Sequence, residues 1–135
     1  MWKGAVMAND NHGIAPAVRV LVVEDFEPFR RFVFSTLSAR PQLQIVAEES
    51  NGVDAVRKAE KLQPELILMD IGLARLDGIE AARQIRKLSP QSKIIFVTQE
   101  ADPDVVREAF KLGAAGYVVK TSIRKRSAYC CGRGA

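Results

Sequence analysis

Five short apolar runs alternate with four amphipathic stretches along the middle of the chain. The runs cover residues 17–23, 43–47, 66–69, 94–97 and 117–119. Most of them are rich in β-branched residues and nearly continuous, which is typical of parallel strands buried on both faces. Between the runs, apolar residues recur at helical spacing, as in Ile79, Ala82, Ile85 and Leu88. The pattern predicts an α/β fold in which a helix follows each of the first four strands.

Capping residues mark the ends of the predicted helices. Pro28 suits the first turn of the first helix, and Ser50 or Asn51 can cap the second. Asp102 precedes a proline at the start of the fourth helix, which Gly113 ends. Right-handed crossovers leave few topologies for such a chain. We therefore predict a flavodoxin-like, doubly wound, five-stranded parallel sheet with strand order 2-1-3-4-5 and helices on both faces.

Length and composition are those of one soluble globular domain. The chain has 135 residues, of which 47% are hydrophobic and 27% charged. No apolar run approaches the ~20 residues of a membrane-spanning helix, and residues 1–15 lack the apolar core of a signal peptide. The two cysteines are adjacent and do not form a CxxC motif. We expect a disordered lead at 1–15, a folded domain at 16–120, a basic tail at 121–135 and a cytoplasmic location without membrane association.

The positive charge belongs to the tail and not to the predicted domain. The formal net charge is +4, yet all 16 acidic residues lie between Asp10 and Glu108, and four of the 20 basic residues follow Lys120. Residues 1–120 are therefore balanced in charge, so the positive net charge says little about the folded domain. The one histidine, His12, lies in the lead. Its position excludes histidine-based catalytic triads and HExxH zinc sites in the domain.

Polar residues with a common chemistry end four of the five predicted strands. Glu24 and Asp25 follow the first strand, Asp70 the third, Thr98 the fourth and Lys120 the fifth. In the order 2-1-3-4-5 the third strand lies between the first and the fourth, so these side chains should meet at the carboxyl edge of the sheet. Clustered carboxylates without histidine or cysteine favour a hard cation, and Mg²⁺ fits best. With a lysine and a hydroxyl opposite, they predict an aspartate that accepts a phosphoryl group.

Residues 17–120 resemble the receiver domain of two-component response regulators. The segments LMDIGLARLDGIEAARQIRKLSP and GAAGYVVK most resemble receivers that precede a LuxR-type helix-turn-helix. The resemblance implies a signalling phosphoacceptor rather than an enzyme, with Mg²⁺ as cofactor and a sensor histidine kinase as partner. It also implies a role for each site residue: Asp70 as the phosphoacceptor, Glu24 and Asp25 as the acidic metal pair, the Gly72 carbonyl as a further metal ligand, Thr98 and Lys120 as phosphate ligands, and Thr98 with Tyr117 as the switch.

The chain departs from the family pattern in places that affect these expectations. Gln99 stands where a small residue is usual, and its bulk is expected to slow phosphoryl transfer. Ala74 replaces a usual proline, which should loosen the loop after Asp70. Residues 121–135 contain only a weak apolar stripe, so the fifth helix is expected to be atypical or missing. An uncovered face would favour a homodimer, and no helix-turn-helix for direct DNA binding follows within the chain.

Alternative interpretations remain for the site and for single residues. A hydrolase of the haloacid-dehalogenase type also uses aspartate, threonine and lysine, but it needs a second aspartate where this chain has Gly72. A pseudo-receiver that binds partners without phosphate would agree with Gln99 and the unusual tail. Glu24 and Asp25 could simply be acids at a helix start, and Tyr117 a half-buried core aromatic.

Overall fold

The structure, a computed structural model, describes residues 17–73, 75–99 and 102–120. In chain order its elements are β1 (Val18–Val23), α1 (Glu27–Ser38), β2 (Leu43–Glu49), α2 (Gly52–Leu62), β3 (Leu66–Asp70), α3 (Gly78–Leu88), β4 (Lys93–Thr98), α4 (Pro103–Lys111) and β5 (Gly116–Val119). Each predicted strand and each of the first four helices is present, with bounds shifted by one or two residues. The predicted lead, the tail with its fifth helix, and Ala74 lie outside the described residues.

The five strands form one parallel sheet in the order β2-β1-β3-β4-β5, which confirms the predicted 2-1-3-4-5 topology. Asp70, the last residue of β3, lies opposite Val97 of β4. Thr98, the last residue of β4, lies opposite Val119 of β5. Asp70 and Thr98 are therefore paired within the strand ladder, whereas the apolar runs predict strands that end one residue earlier.

One face of the sheet is covered by α2, α3 and α4. The contact is close because these helices present small residues to the strands, namely Ala55, Ala59, Ala81, Ala82 and Ala109. From the strands, alternate side chains enter this core: Leu21, Val23, Ile67, Met69, Ile94 and Phe96. Leu88 continues the helical spacing of Ile79, Ala82 and Ile85, but it is the last residue of α3 and is 39% exposed.

The other face carries α1, which buries Phe29 against the sheet. The helix begins with Glu27 and Pro28, as the sequence predicts. Asn51 and not Ser50 caps α2, because its side-chain oxygen accepts a hydrogen bond from the Asp54 N–H. None of the helices in the described ranges has both the length and the apolar character needed to span a bilayer.

The amino-terminal edge of the sheet is closed by Arg19. Its guanidinium donates to the carbonyl oxygens of Leu62, at 2.7 Å, and Gln63, at 2.5 Å, where α2 ends. The guanidinium also pairs with both oxygens of the Glu65 carboxylate, and the backbone N–H of Arg19 donates to Oε1 of the same carboxylate at 2.8 Å. Partial burial raises the pKa of Glu65, but the hydrogen bonds and charge of Arg19 outweigh it, and the pKa is lowered. Arg19 thus ties β1, β3 and the end of α2 together.

A second polar contact at this edge involves two serines that are fully buried. The Ser89 and Ser92 hydroxyls are 2.6 Å apart, and the Ser92 hydroxyl donates to the carbonyl oxygen of Pro64. These bonds join the end of α3 to the segment that leads into β3. Every hydroxyl in this group has a partner, as buried polar groups require.

Candidate functional site

Three carboxylates meet at the carboxyl edge of the sheet. Glu24 and Asp25 follow β1 directly, and Asp70 ends the neighbouring strand β3. One oxygen from each of them lies within 4.8 Å of the others. Glu24 and Asp70 are buried, whereas Asp25 is exposed. Because all the donors are carboxylate oxygens, the trio fits a hard divalent cation such as Mg²⁺.

Lys120 lies among these carboxylates. It follows β5, two strands from Asp70, and its side chain is only 6% exposed. Its Nζ is 2.9 Å and 3.0 Å from the two carboxylate oxygens of Glu24 and 3.4 Å from Oδ2 of Asp70. It also lies 4.8 Å from the ring centre of Phe29. The lysine therefore reaches Asp70 as predicted from strand spacing.

The close pairing of Glu24 with Lys120 was not predicted. The family resemblance implies that Glu24 is a metal ligand and Lys120 a phosphate ligand. In the structure, each is the nearest charged partner of the other. The sequence offers only a general signal, because Glu24 directly follows a continuous apolar strand but the depth of its burial shows only in the structure. A carboxylate so placed needs a cation from another element, and Lys120 is the cation whose strand ends at the same edge.

The pKa of Glu24 is raised, chiefly because burial disfavours its charged form. A hydrogen bond from Lys120 and one from the Phe26 N–H act in the opposite direction, and the charge of Asp70 raises the pKa further. The trio of carboxylates faces one ammonium group in this cluster. The site therefore carries an excess of negative charge that an added cation would offset.

An open cavity of about 480 Å³ lies above the cluster. Its lining includes all but one of the predicted site residues: Asp25, Asp70, Gly72, Thr98, Tyr117 and Lys120. Glu24 is the exception: it does not line the cavity, and only 3% of its surface is exposed. Gln99 also lines the cavity with an exposed side chain, and its effect on phosphoryl transfer stays a prediction. Burial, followed by the charge of Asp102, raises the pKa of Tyr117.

The loop after Asp70 folds back against the strand it leaves. The Gly78 N–H donates to the carbonyl oxygen of Ile71 at 2.7 Å, and a Cβ at Gly78 would lie 2.2 Å from the Asp70 carbonyl oxygen. Glycine alone permits this approach. The Gly72 N–H lies 3.3 Å from Oδ1 of Asp70 and donates to it. Gly78 thus fixes the Asp70 backbone, a role that the sequence analysis missed.

Comparison with known proteins gives consistent matches to one family. The profile of the response regulator receiver domain matches residues 20–127. Response regulator protein VraR of Staphylococcus epidermidis is 38% identical over 106 residues, which are 78% of this chain and 51% of that protein. Transcriptional regulatory protein LiaR of Bacillus subtilis is 39% identical over 105 residues, 78% of this chain and 50% of that protein. The chain thus spans about half the length of these curated relatives.

Solved structures agree with the sequence matches. A two-component response regulator of the LuxR family from Aurantimonas sp. SI85-9A1 superposes with a TM-score of 0.73 and 29% identity, covering 87% of each chain. The matches favour neither a hydrolase of the haloacid-dehalogenase type nor a pseudo-receiver. The fold, the acidic cluster beside a buried lysine and the sequence matches lead to one assignment: this chain belongs to the response regulator receiver domains, and its matches include those of LuxR-type regulators.

Proposed function

We propose that Asp70 accepts a phosphoryl group and that this modification changes the partner-binding surface of the domain. The observation that carries the proposal is the placement of Asp70 at the end of the central strand, where Lys120 Nζ lies 3.4 Å from its carboxylate and the open cavity gives access to it. A carboxylate there can act as a nucleophile, and the ammonium can offset the charge of the incoming phosphate.

In the proposed reaction, an oxygen of Asp70 bonds to the phosphorus of the donor as the bond between phosphorus and the leaving group breaks. The product is an acyl phosphate on Asp70. Lys120 and the Thr98 hydroxyl are the groups of the cavity wall that we assign to the phosphate oxygens. Positioning and charge neutralisation provide most of the catalysis in such transfers, so these residues need no covalent role.

Asp25, Asp70 and the carbonyl of Gly72 are the groups that we assign to Mg²⁺, with Glu24 as the second acid of the pair. When bound, the metal neutralises charge on the transferring phosphoryl group. Glu24 has a further task, because both its oxygens are close to Lys120 and so hold the ammonium beside Asp70. Asp25 is exposed, and its carboxylate is directly accessible from the cavity.

The proposed donor is a phosphohistidine of a sensor kinase. We place this reaction in the cytoplasm. Modification of Asp70 would draw Thr98 inward, and Tyr117 would follow, since both side chains line the same cavity. The surface formed by β4, α4 and β5 would then change its partners, a second copy of the chain among them. We propose residues 16–120 as the switching unit and assign it no direct contact with DNA.

The test is phosphorylation of the full chain by acetyl phosphate with Mg²⁺, measured by intact mass. We expect wild type to gain the mass of one phosphate and Asp70→Asn to gain none. Asp77→Asn is a matched control, because Asp77 caps α3 at the end of the same loop and an asparagine can still cap it. Phosphorylation that persists in Asp70→Asn would place the acceptor elsewhere, and an unmodified wild type would contradict the proposed function.

A further inference from the structure

Arg30, in the first turns of α1, contacts two other elements at the carboxyl edge of the sheet. Its guanidinium donates to the carbonyl oxygen of Glu24 at 2.8 Å, and its Nε lies 3.5 Å from the Glu48 carboxylate of β2. The Arg30 side chain is 24% exposed. A partly buried guanidinium with two separate acceptors is held more firmly than a surface arginine.

The carbonyl that Arg30 binds belongs to the peptide group joining Glu24 to Asp25. On one side of this peptide, the Glu24 N–H donates to the Glu49 carbonyl oxygen at 2.9 Å. On the other side, the Phe26 N–H donates to the Glu24 carboxylate at 3.0 Å. Between these two hydrogen bonds, the Arg30 guanidinium holds the carbonyl oxygen of the peptide from which Asp25 extends.

We propose that Arg30 is a positioning residue for magnesium binding: it orients the Glu24–Asp25 peptide and thereby directs the Asp25 carboxylate toward Asp70. The inference rests on the proposed function, since it takes Asp25 as a metal ligand. Removal of a group that orients a metal ligand by a hydrogen bond typically weakens metal binding by ~10-fold or more.

Charge and position act in opposite directions here, which makes the inference testable. A guanidinium near a cation site disfavours the cation, so its removal would tighten Mg²⁺ binding if charge alone mattered. Removal of a positioning contact would weaken binding. Arg31 is the matched control, because it carries the same charge one residue away, is 78% exposed and pairs with Glu27 on α1.

The experiment is a titration of the full chain with Mg²⁺ alone, followed by the amide NMR signals of residues 25, 26 and 70. We expect Arg30→Gln to bind Mg²⁺ about 10-fold more weakly than wild type. Arg31→Gln should bind as wild type does or slightly more tightly. Arg30→Gln with an unchanged or tighter affinity would overturn the inference.

A second variant keeps the test valid if Arg30→Gln does not fold. Arg30→Lys retains the charge but offers one donor group for two acceptors, so about 3-fold weaker binding is expected. If Arg30→Gln does not fold, wild-type affinity of Arg30→Lys would overturn the inference. Thermal melts without Mg²⁺ report folding separately. If wild type itself binds no Mg²⁺, the proposed function fails; if wild type binds Mg²⁺ and both Arg30 variants match it, only the inference fails.

Discussion

The two edges of the same sheet hold ion pairs of opposite character. At the amino-terminal edge, Arg19 meets two carbonyl oxygens and one carboxylate, and the pKa of Glu65 is lowered. At the carboxyl edge, Lys120 faces the buried carboxylates of Glu24 and Asp70, and the pKa of Glu24 is raised. The charges at the amino-terminal edge are complementary. At the carboxyl edge, Lys120 offsets only part of the negative charge of the carboxylates.

This difference separates polar groups that hold the fold together from those that can do chemistry. A hydrogen-bond network in which every group has a partner gains nothing from a further ligand. A cluster with excess negative charge and access from a cavity is stabilised when a cation binds. Variants at the two edges should therefore differ in what they change: phosphorylation at one, and stability at the other.

The largest expected effect is that of Lys120→Met on phosphorylation. Methionine keeps much of the side-chain volume but removes the ammonium beside Asp70, so the rate of acetyl phosphate-dependent phosphorylation should fall about 100-fold. The rate is measured by intact mass over time. Lys93→Met is the control, because Lys93 is an exposed lysine at the amino-terminal end of β4. Equal rates for Lys120→Met and wild type would remove Lys120 from the reaction.

The next effect concerns the amino-terminal edge. Ser92→Ala leaves the Pro64 carbonyl and the Ser89 hydroxyl without the buried partner that they share, which should lower the free energy of unfolding by about 1–3 kcal/mol. Urea denaturation measures the loss. The phosphorylation rate should stay at the wild-type value, and a parallel loss of phosphorylation would show that the two edges are not independent.

The smallest effect is a difference in pH dependence. The raised pKa of Glu24 contributes stability below its ordinary value of 4.5, which is lost as pH rises through the raised pKa. The lowered pKa of Glu65 contributes stability above 4.5, which is lost as pH falls through the lowered pKa. Relative to wild type, Glu65→Gln should therefore be most destabilising near neutral pH.

Glu24→Gln should show the opposite trend, with a cost that is greater in acid than at neutral pH. Unfolding free energies of wild type and of both variants at a series of pH values test this. The same sign of pH dependence for both glutamates would contradict the comparison of the two edges.

The topology and most of the site were accessible from the sequence because both follow from strand order. Once the apolar runs and the helices between them define a 2-1-3-4-5 sheet, Asp25, Asp70 and Thr98, which lie at or just after strand ends, must share one edge. Lys120 followed from the same geometry, since its side chain is long enough to cross the remaining strand spacing. These predictions needed the periodicity, the spacing between strands and the strand order that is common among five-stranded doubly wound sheets.

The contacts that refine the site were not accessible, because they depend on side-chain packing. The pairing of Glu24 with Lys120 depends on how deeply Glu24 is buried. The contact of Gly78 with the Asp70 carbonyl depends on the path of a loop, and that of Arg30 with the Glu24 carbonyl on the rotation of α1 about its axis. Leu88 shows the same limit in the core, since its helical spacing does not reveal that the end of α3 leaves it exposed.

The strand-terminal placement of Asp70 and Thr98 has a consequence for the time course of the proposed response. Both residues are paired in the strand ladder, so their main chain is fixed there, and the response to modification begins with their side chains. A change of the surface formed by β4, α4 and β5 is a collective motion, which takes microseconds or longer. The proposed response to phosphorylation should therefore have two stages: a local adjustment of side chains within the cavity, and a later change of the surface formed by β4, α4 and β5.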